Sequence, residues 1–300
     1  MAAHRGVEIF QYNAFTDQPF AGNPAGVVTD ASSLDDLAMQ RIARQMNLAE
    51  TAFLVPASKP EADIRLRWFT PAMEVELCGH ATIAAFTAAA ERGVFPVAGD
   101  EERELRVETL SGVLRIRIAR REGRTQVTMQ IPVPAFDPLK LDREAFAALW
   151  GVTADELTGE WLRHSGLNYW YIPVSGQSAL RALTLDAEKL AGIDSTAAFA
   201  FFTTDTVDTE SDWHLRFFAP FHGVAEDIVT GSAQGPMGVV YLKLGASPAI
   251  DGWSEFRGEQ GDCMGRPGRV LVRVLKEAGA ISDLEIAGGA VPMLEGRIRI

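Results

Sequence analysis

The sequence predicts an α+β protein built as two similar domains, and three observations carry that expectation. The chain has 300 residues, where roughly 150 per domain is usual. Short strand-like segments with alternating apolar residues recur through both halves. Two small-residue turns, Cys78-Gly79-His80-Ala81 and Thr230-Gly231-Ser232-Ala233, each follow an acidic stretch and each open an apolar helix. Their glycines lie half the chain apart, the spacing that duplication of a strand-rich unit wrapped on one central helix would produce.

Taken in order, residues 7–15 read as a strand, the turn-rich 16–24 follows, and 25–29 form a second strand. Ser33 is the expected N-cap of a helix of about 13 residues, with Asp36 three positions on and Leu34, Leu37, Ala38, Ile42 and Met46 at helical spacing. Strands are expected at 51–55 and 64–69. An Ala-rich helix then runs Ala81–Arg92 and closes at Gly93. The alternating segments LRVETL, VLRIRIA and QVTMQI follow, and Pro132, Pro134 and Pro138 mark the expected domain boundary. The second half repeats the outline with a helix at 142–151 and strands at 167–174, 197–203 and 213–218. A helix from the Thr230 turn to Leu244 and strands at 269–275 and 296–300 complete it.

Composition narrows the function. Hydrophobic residues are 47% and charged residues 23%, ordinary for a globular chain. Forty acidic against 28 basic side chains give a net charge of −12, which repels phosphate backbones, so no nucleic-acid partner is expected. Two cysteines, Cys78 and Cys263, are too few for a disulfide framework or a zinc ribbon and fit a reducing cytoplasm. Met1–Gly6 lacks the apolar run of a signal peptide, and no apolar stretch approaches about 18 residues, so neither secretion nor membrane insertion is expected. Dinucleotide, Walker and H-E-x-x-H motifs are absent, so no cofactor or catalytic metal is implied.

The two turns are where chemistry is expected. Helix N-termini at Gly79 and Gly231, aimed at one interdomain cleft, would bind the carboxylate of a small organic acid; alternatively the glycines serve only tight turns. His80, in the first helical turn, would be held neutral by the dipole and suited to hydrogen-bonding a substrate, or is a structural histidine. His222, four residues before Glu226, is an alternative to it; His4, His164 and His214 have no supporting context. Asp227 either caps the second helix or accepts a hydrogen bond from substrate, and Ser232 divides between the same two roles. Glu50 lies in the uncharged stretch Leu48-Ala49-Glu50-Thr51-Ala52-Phe53-Leu54. Desolvation there would raise its pKa toward neutrality and let it both give and take a proton, unless it is an edge glutamate facing water. Cys78 adjoins a helix N-terminus, which favours a thiolate. The equivalent slot holds Thr230, which argues against a dithiol mechanism and leaves small-residue packing as the alternative.

Five ordered blocks, FTDQPFAGNPAGVV, NLAETAF, RWFTPAMEVELCGHATIAA, FFAPFHGVAEDIVTGSAQG and GEQGDCMGRPGRV, resemble the PhzF family of phenazine-biosynthesis-like isomerases. The resemblance implies the diaminopimelate epimerase-like fold: two pseudo-symmetric domains, each a β-barrel-like sheet around a central helix. It implies domains at 1–132 and 133–286, with a strand at about 287–300 returning to the first. It also implies a homodimer, no cofactor, and isomerisation of a compound such as trans-2,3-dihydro-3-hydroxyanthranilate by one glutamate. By motif that glutamate is Glu50, with His80 and Asp227 as catalytic partners and Gly79, Gly231 and Ser232 at the substrate carboxylate; Cys78 and Thr230 are further candidates. Where the family commonly reads E-D-P-V-T-G-S-A-H, this chain has Ile228 and Gln234 in the proline and histidine places. Both are expected beside the substrate and to bear on its identity. A two-base racemase using Cys78 and a non-catalytic acid-binding protein are the alternatives.

Overall fold

The computed structural model describes residues 6–99, 101–186, 188–190, 192–246 and 250–300; His4 and the rest of the opening Met1–Arg5, on which the absence of a leader was read, lie outside the described residues. Contacts divide the chain into two compact units, the residues up to Ile131 with Glu285–Ile300, and Pro132–Leu284.

The first unit contains β1 (Gly6–Ala14), β2 (Asn23–Val28), α1 (Asp36–Met46), β3 (Glu50–Val55), β4 (Ile64–Phe69), β5 (Glu74–Val75), α2 (Gly79–Glu91), β6 (Glu102–Thr109), β7 (Gly112–Arg121) and β8 (Arg124–Gln130). β1 pairs antiparallel with β2, β2 parallel with β3, β3 antiparallel with β4, and β4 parallel with β6. β6, β7 and β8 continue antiparallel. α2 carries small and apolar residues on every face, so it is buried all round from Gly79 to Ala89 and packs against β1, β2, β3 and β8. α1 is capped by Asp35, not by Ser33: the Asp35 carboxylate accepts from the Ala38 amide at 2.8 Å, and the helix is correspondingly shorter, 11 residues.

The second unit contains β9 (Phe136–Pro138), α3 (Arg143–Leu149), β10 (Leu162–His164), β11 (Tyr169–Pro173), α4 (Gln177–Ala182), β12 (Ala198–Thr203), β13 (Trp213–Ala219), β14 (Val224–Asp227), α5 (Gly231–Lys243), β15 (Gly252–Gln260) and β16 (Gly268–Glu277). β11 pairs parallel with β12, β12 antiparallel with β13, β13 parallel with β15, and β15 antiparallel with β16. That is the order of β2, β3, β4, β6 and β7. Its aromatic core gathers Phe146, Trp150, Trp170, Phe199, Phe201 and Phe218. α5 approaches β16 closely at Gly238, where a Cβ would sit 2.7 Å from Val272 Cγ1.

The repetition reaches individual side chains roughly 150 positions apart. Buried Glu108 on β6 accepts from the Ser58 and Lys59 amides of the β3–β4 loop, and buried Glu259 on β15 accepts from the Val207 and Asp208 amides of the β12–β13 loop. Asp63 accepts from the Arg106 amide as Asp212 does from that of Arg257. Arg67 lies 5.1 Å over the Phe69 ring and forks onto Glu74, while Arg216 lies 4.8 Å over the Phe218 ring and forks onto Glu226. In the sequence this shows as Leu66-Arg67-Trp68-Phe69-Thr70-Pro71 against Leu215-Arg216-Phe217-Phe218-Ala219-Pro220.

Two further strands complete the sheet, β17 (Ala280–Gly288) and β18 (Ala290–Arg299). β17 pairs antiparallel with β8 from Glu285 to Gly288, and β18 pairs antiparallel with β1 along its length. Periodicity showed neither β15 nor β17, and only the end of β18. The reason is buried charge: Glu259 clasps a loop, and Glu285, 1% exposed, faces Arg115 and Arg117. Acidic residues thus stand where a strand signal needs apolar ones.

Candidate active site

Each unit carries a cluster at the start of its buried helix. In the first, α1 ends at Met46, Asn47 takes a left-handed conformation (φ 52°), and Glu50 opens β3 opposite Ala25 of β2. Because β3 runs antiparallel to β4, its first residues lie beside the end of β4, with Thr51 opposite Phe69. From there the chain turns through β5 into α2, which brings Glu50 to the first turn of that helix.

There Glu50 Oε2 lies 3.3 Å from His80 Nε2, the Glu50 side chain 20% exposed and that of His80 7%. The two are close enough to share charge, yet Nε2 makes no aligned hydrogen bond among the described residues. The other ring nitrogen, His80 Nδ1, is 3.6 Å from the buried Cys78 Sγ. Cys78 is the N-cap of α2 but its side chain does not cap; its carbonyl accepts from the Thr82 hydroxyl at 2.6 Å. The first-turn amides beyond Gly79 therefore have neither an intrahelical acceptor nor a side-chain cap from that residue. Donor atoms of Glu50, Cys78 and His80 all fall within 4.8 Å of one another, the described set able to hold a metal ion.

In the second unit Thr230 is the N-cap of α5, again without side-chain capping. Its hydroxyl donates to Asp227 Oδ2 at 2.6 Å, and Asp227 Oδ1 accepts from the Ile228 amide at 2.9 Å. Gln260 braces both, its Oε1 accepting from the Thr230 amide at 3.0 Å and its Nε2 donating to the Asp227 carbonyl at 2.9 Å. Gly231 is buried, and half-buried Ser232 Oγ lies 3.3 Å from Tyr169 Oη. Tyr169 was not anticipated. Its signal is Tyr169-x-Tyr171 on one face of β11, and Tyr171 also reaches α5, donating to the Ala233 carbonyl at 3.0 Å.

Three sequence expectations change. Gln234 is turned inward: it is 0% exposed, accepts from Trp213 Nε1 at 2.7 Å and donates to Gln260 Oε1 at 3.2 Å, so its side chain is engaged in packing α5. His222, the alternative to His80, is exposed and 3.2 Å from the Thr196 carbonyl, while Glu226 is held by Arg216. His214 does have a context, buried between Gln177 at 2.7 Å and Glu259 at 3.1 Å. His164 accepts from the Gly166 and Leu167 amides, and burial lowers its pKa. Burial likewise pushes the Cys263 thiol up, away from reactivity.

A family profile described as phenazine biosynthesis-like protein matches residues 12–296. The trans-2,3-dihydro-3-hydroxyanthranilate isomerase of Pseudomonas aeruginosa is 31% identical over 296 residues, covering 98% of this chain and 99% of the relative. A Bacillus anthracis phenazine biosynthesis protein of the PhzF family superposes with a TM-score of 0.89 at 32% identity, covering 99% of this chain and all of that one. A hydroxyproline epimerase from Agrobacterium vitis, at 13% identity, 100% and 94% coverage and a TM-score of 0.64, shares the fold. With this fold, and a profile match over nearly the whole chain, the protein belongs to the PhzF family of phenazine biosynthesis-like isomerases.

Proposed function

We propose that this isomerase moves a proton on a small carboxylate-bearing substrate of the trans-2,3-dihydro-3-hydroxyanthranilate type, with Glu50 as the single general acid and base. What supports this reading is a half-buried carboxylate 3.3 Å from an imidazole nitrogen at the start of α2, a pair that the start of α5 does not repeat among the described residues. The strand that answers to β3 in the second unit opens with Ala198, and the residue that answers to Cys78 is Thr230, a hydroxyl already donated to Asp227. Two equivalent bases, which a two-base racemase requires, are not supplied by the duplication.

In this proposal Glu50 takes a proton from one carbon and returns it to another on the same face. His80 and Asp227 hold and polarise the substrate's amine or enol. Ser232, with the amides at Gly79 and Gly231, meets its carboxylate, and Thr230 fixes Asp227. Incubation of wild type and Glu50→Gln with trans-2,3-dihydro-3-hydroxyanthranilate and a panel of amino and hydroxy acids in D₂O, read by NMR, tests it. Isomerisation or deuterium uptake should fall by about 10²–10⁴-fold in the variant; exchange undiminished by Glu50→Gln overturns the assignment.

The racemase reading rests on one observation, the 3.6 Å approach of Cys78 Sγ to His80 Nδ1. It requires alkylation of Cys78 to abolish turnover and Glu50→Gln to spare it.

A further inference from the structure

We infer that Glu50, Cys78 and His80 form a binding site for a soft divalent metal ion, zinc above all, that holds the protein in an inhibited form. A tetrahedral zinc ion with a thiolate at about 2.3 Å and an imidazole nitrogen at about 2.0 Å sets those two donors roughly 3.5 Å apart. Cys78 Sγ and His80 Nδ1 stand 3.6 Å apart with both side chains buried, so the pair is already spaced as two ligands. Glu50 supplies the third donor, within 4.8 Å of the other two, on a side chain with three rotatable bonds and 20% exposure that also opens a path to solvent.

A second observation is independent of this spacing. His80 is 5% exposed, and its Nε2, 3.3 Å from Glu50 Oε2, makes no aligned hydrogen bond among the described residues. Turning the ring to place Nδ1 on an ion therefore costs that nitrogen only its approach to Glu50, whose carboxylate is itself a ligand in this site. The charges also balance. The Cys78 thiol proton leaves to solvent as its S–H bond is replaced by an S–Zn bond, no electrons change hands, and thiolate and carboxylate together neutralise the 2+ charge. The N-terminus of α2 favours the thiolate. Three protein ligands leave a fourth position for water. On the isomerase reading the ion occupies the base and stops proton transfer, whereas binding itself does not depend on that reading.

The test is spectroscopic and needs no substrate. The full chain, reduced and stripped by a chelator, is titrated with Co²⁺ alone, and the thiolate-to-cobalt charge-transfer band in the near ultraviolet is followed before displacement by Zn²⁺. One equivalent should develop the band in wild type and in Cys263→Ser, and none should appear in Cys78→Ser. His80→Asn and Glu50→Gln should weaken binding by at least the ~10–100-fold that loss of even an outer-shell partner costs. No band in wild type, a band that survives Cys78→Ser, or one that Cys263→Ser removes overturns the site. X-ray absorption of zinc-loaded wild type requires no variant to fold: one sulfur scatterer at about 2.3 Å with lighter ligands near 2.0 Å is expected, and a shell without sulfur overturns it.

Discussion

A carboxylate 3.3 Å from an imidazole nitrogen exchanges influence with it in both directions, so neither Glu50 nor His80 acts alone. Replacing Glu50 by Gln keeps the shape and removes the base, hence the expected loss of about 10²–10⁴-fold in proton transfer. Asp227→Asn tests the other cluster: on the proposed reading it lowers kcat by about tenfold or more, since the Thr230 hydroxyl then meets an amide in place of a carboxylate. Full activity in that variant, measured with the same substrate, removes Asp227 from the mechanism. Cys78→Ala should reduce turnover far less than Glu50→Gln, because on this reading the carboxylate carries the proton and the thiol only approaches the other ring nitrogen.

At the scale of elements, α5 depends on what lies beside Gln234. A Cβ on Gly258 of β15 would stand 2.0 Å from Gln234 Oε1 and 2.3 Å from Trp213 Nε1. Gly258→Ala must therefore break the Trp213–Gln234 hydrogen bond, and a loss of about 1–3 kcal/mol in urea unfolding is expected. Asp35→Ala, which removes the cap of α1, should cost about 1 kcal/mol. Elements with ordinary chemistry were legible in the sequence: α2 from its apolar faces, β6 to β8 from alternation, and both helix-opening turns from their glycines. Glu50 and His80 were legible as candidates because each sits at a junction between elements. What escaped were strands carrying buried acids, the Asp35 cap two residues beyond the expected one, and Tyr169, whose importance depends on which way β11 faces. The inward orientation of Gln234 was not legible, because a turn motif says where a helix starts and not which of its residues face inward.

Across the whole molecule, the two loop clasps set the response to acid. Burial pushes the Glu259 carboxyl up, but bonds from His214 and from the Val207 and Asp208 amides outweigh it and hold the pKa at about 2. Glu108 is also shifted below its ordinary value, its burial outweighed by Ser58 and the Lys59 amide. Folded-state values below the unfolded ones mean that these groups contribute stability above the ordinary carboxylate range, about pH 4.3, and lose it as pH falls toward 2. Urea midpoints should be level from pH 7 to 5 and drop steeply by pH 3. Glu259→Gln should flatten that drop while lowering the plateau, and an unchanged acid limb would show that the clasps do not govern it. The pairing of β18 with β1 and of β17 with β8 has a consequence for the order of assembly on the ribosome. Residues 285–300 are made after every part of the second unit, so the unit begun first is closed last. Until they emerge, β1 and β8 present open edges, and a nascent chain stalled before residue 285 should be a target for chaperones and for aggregation.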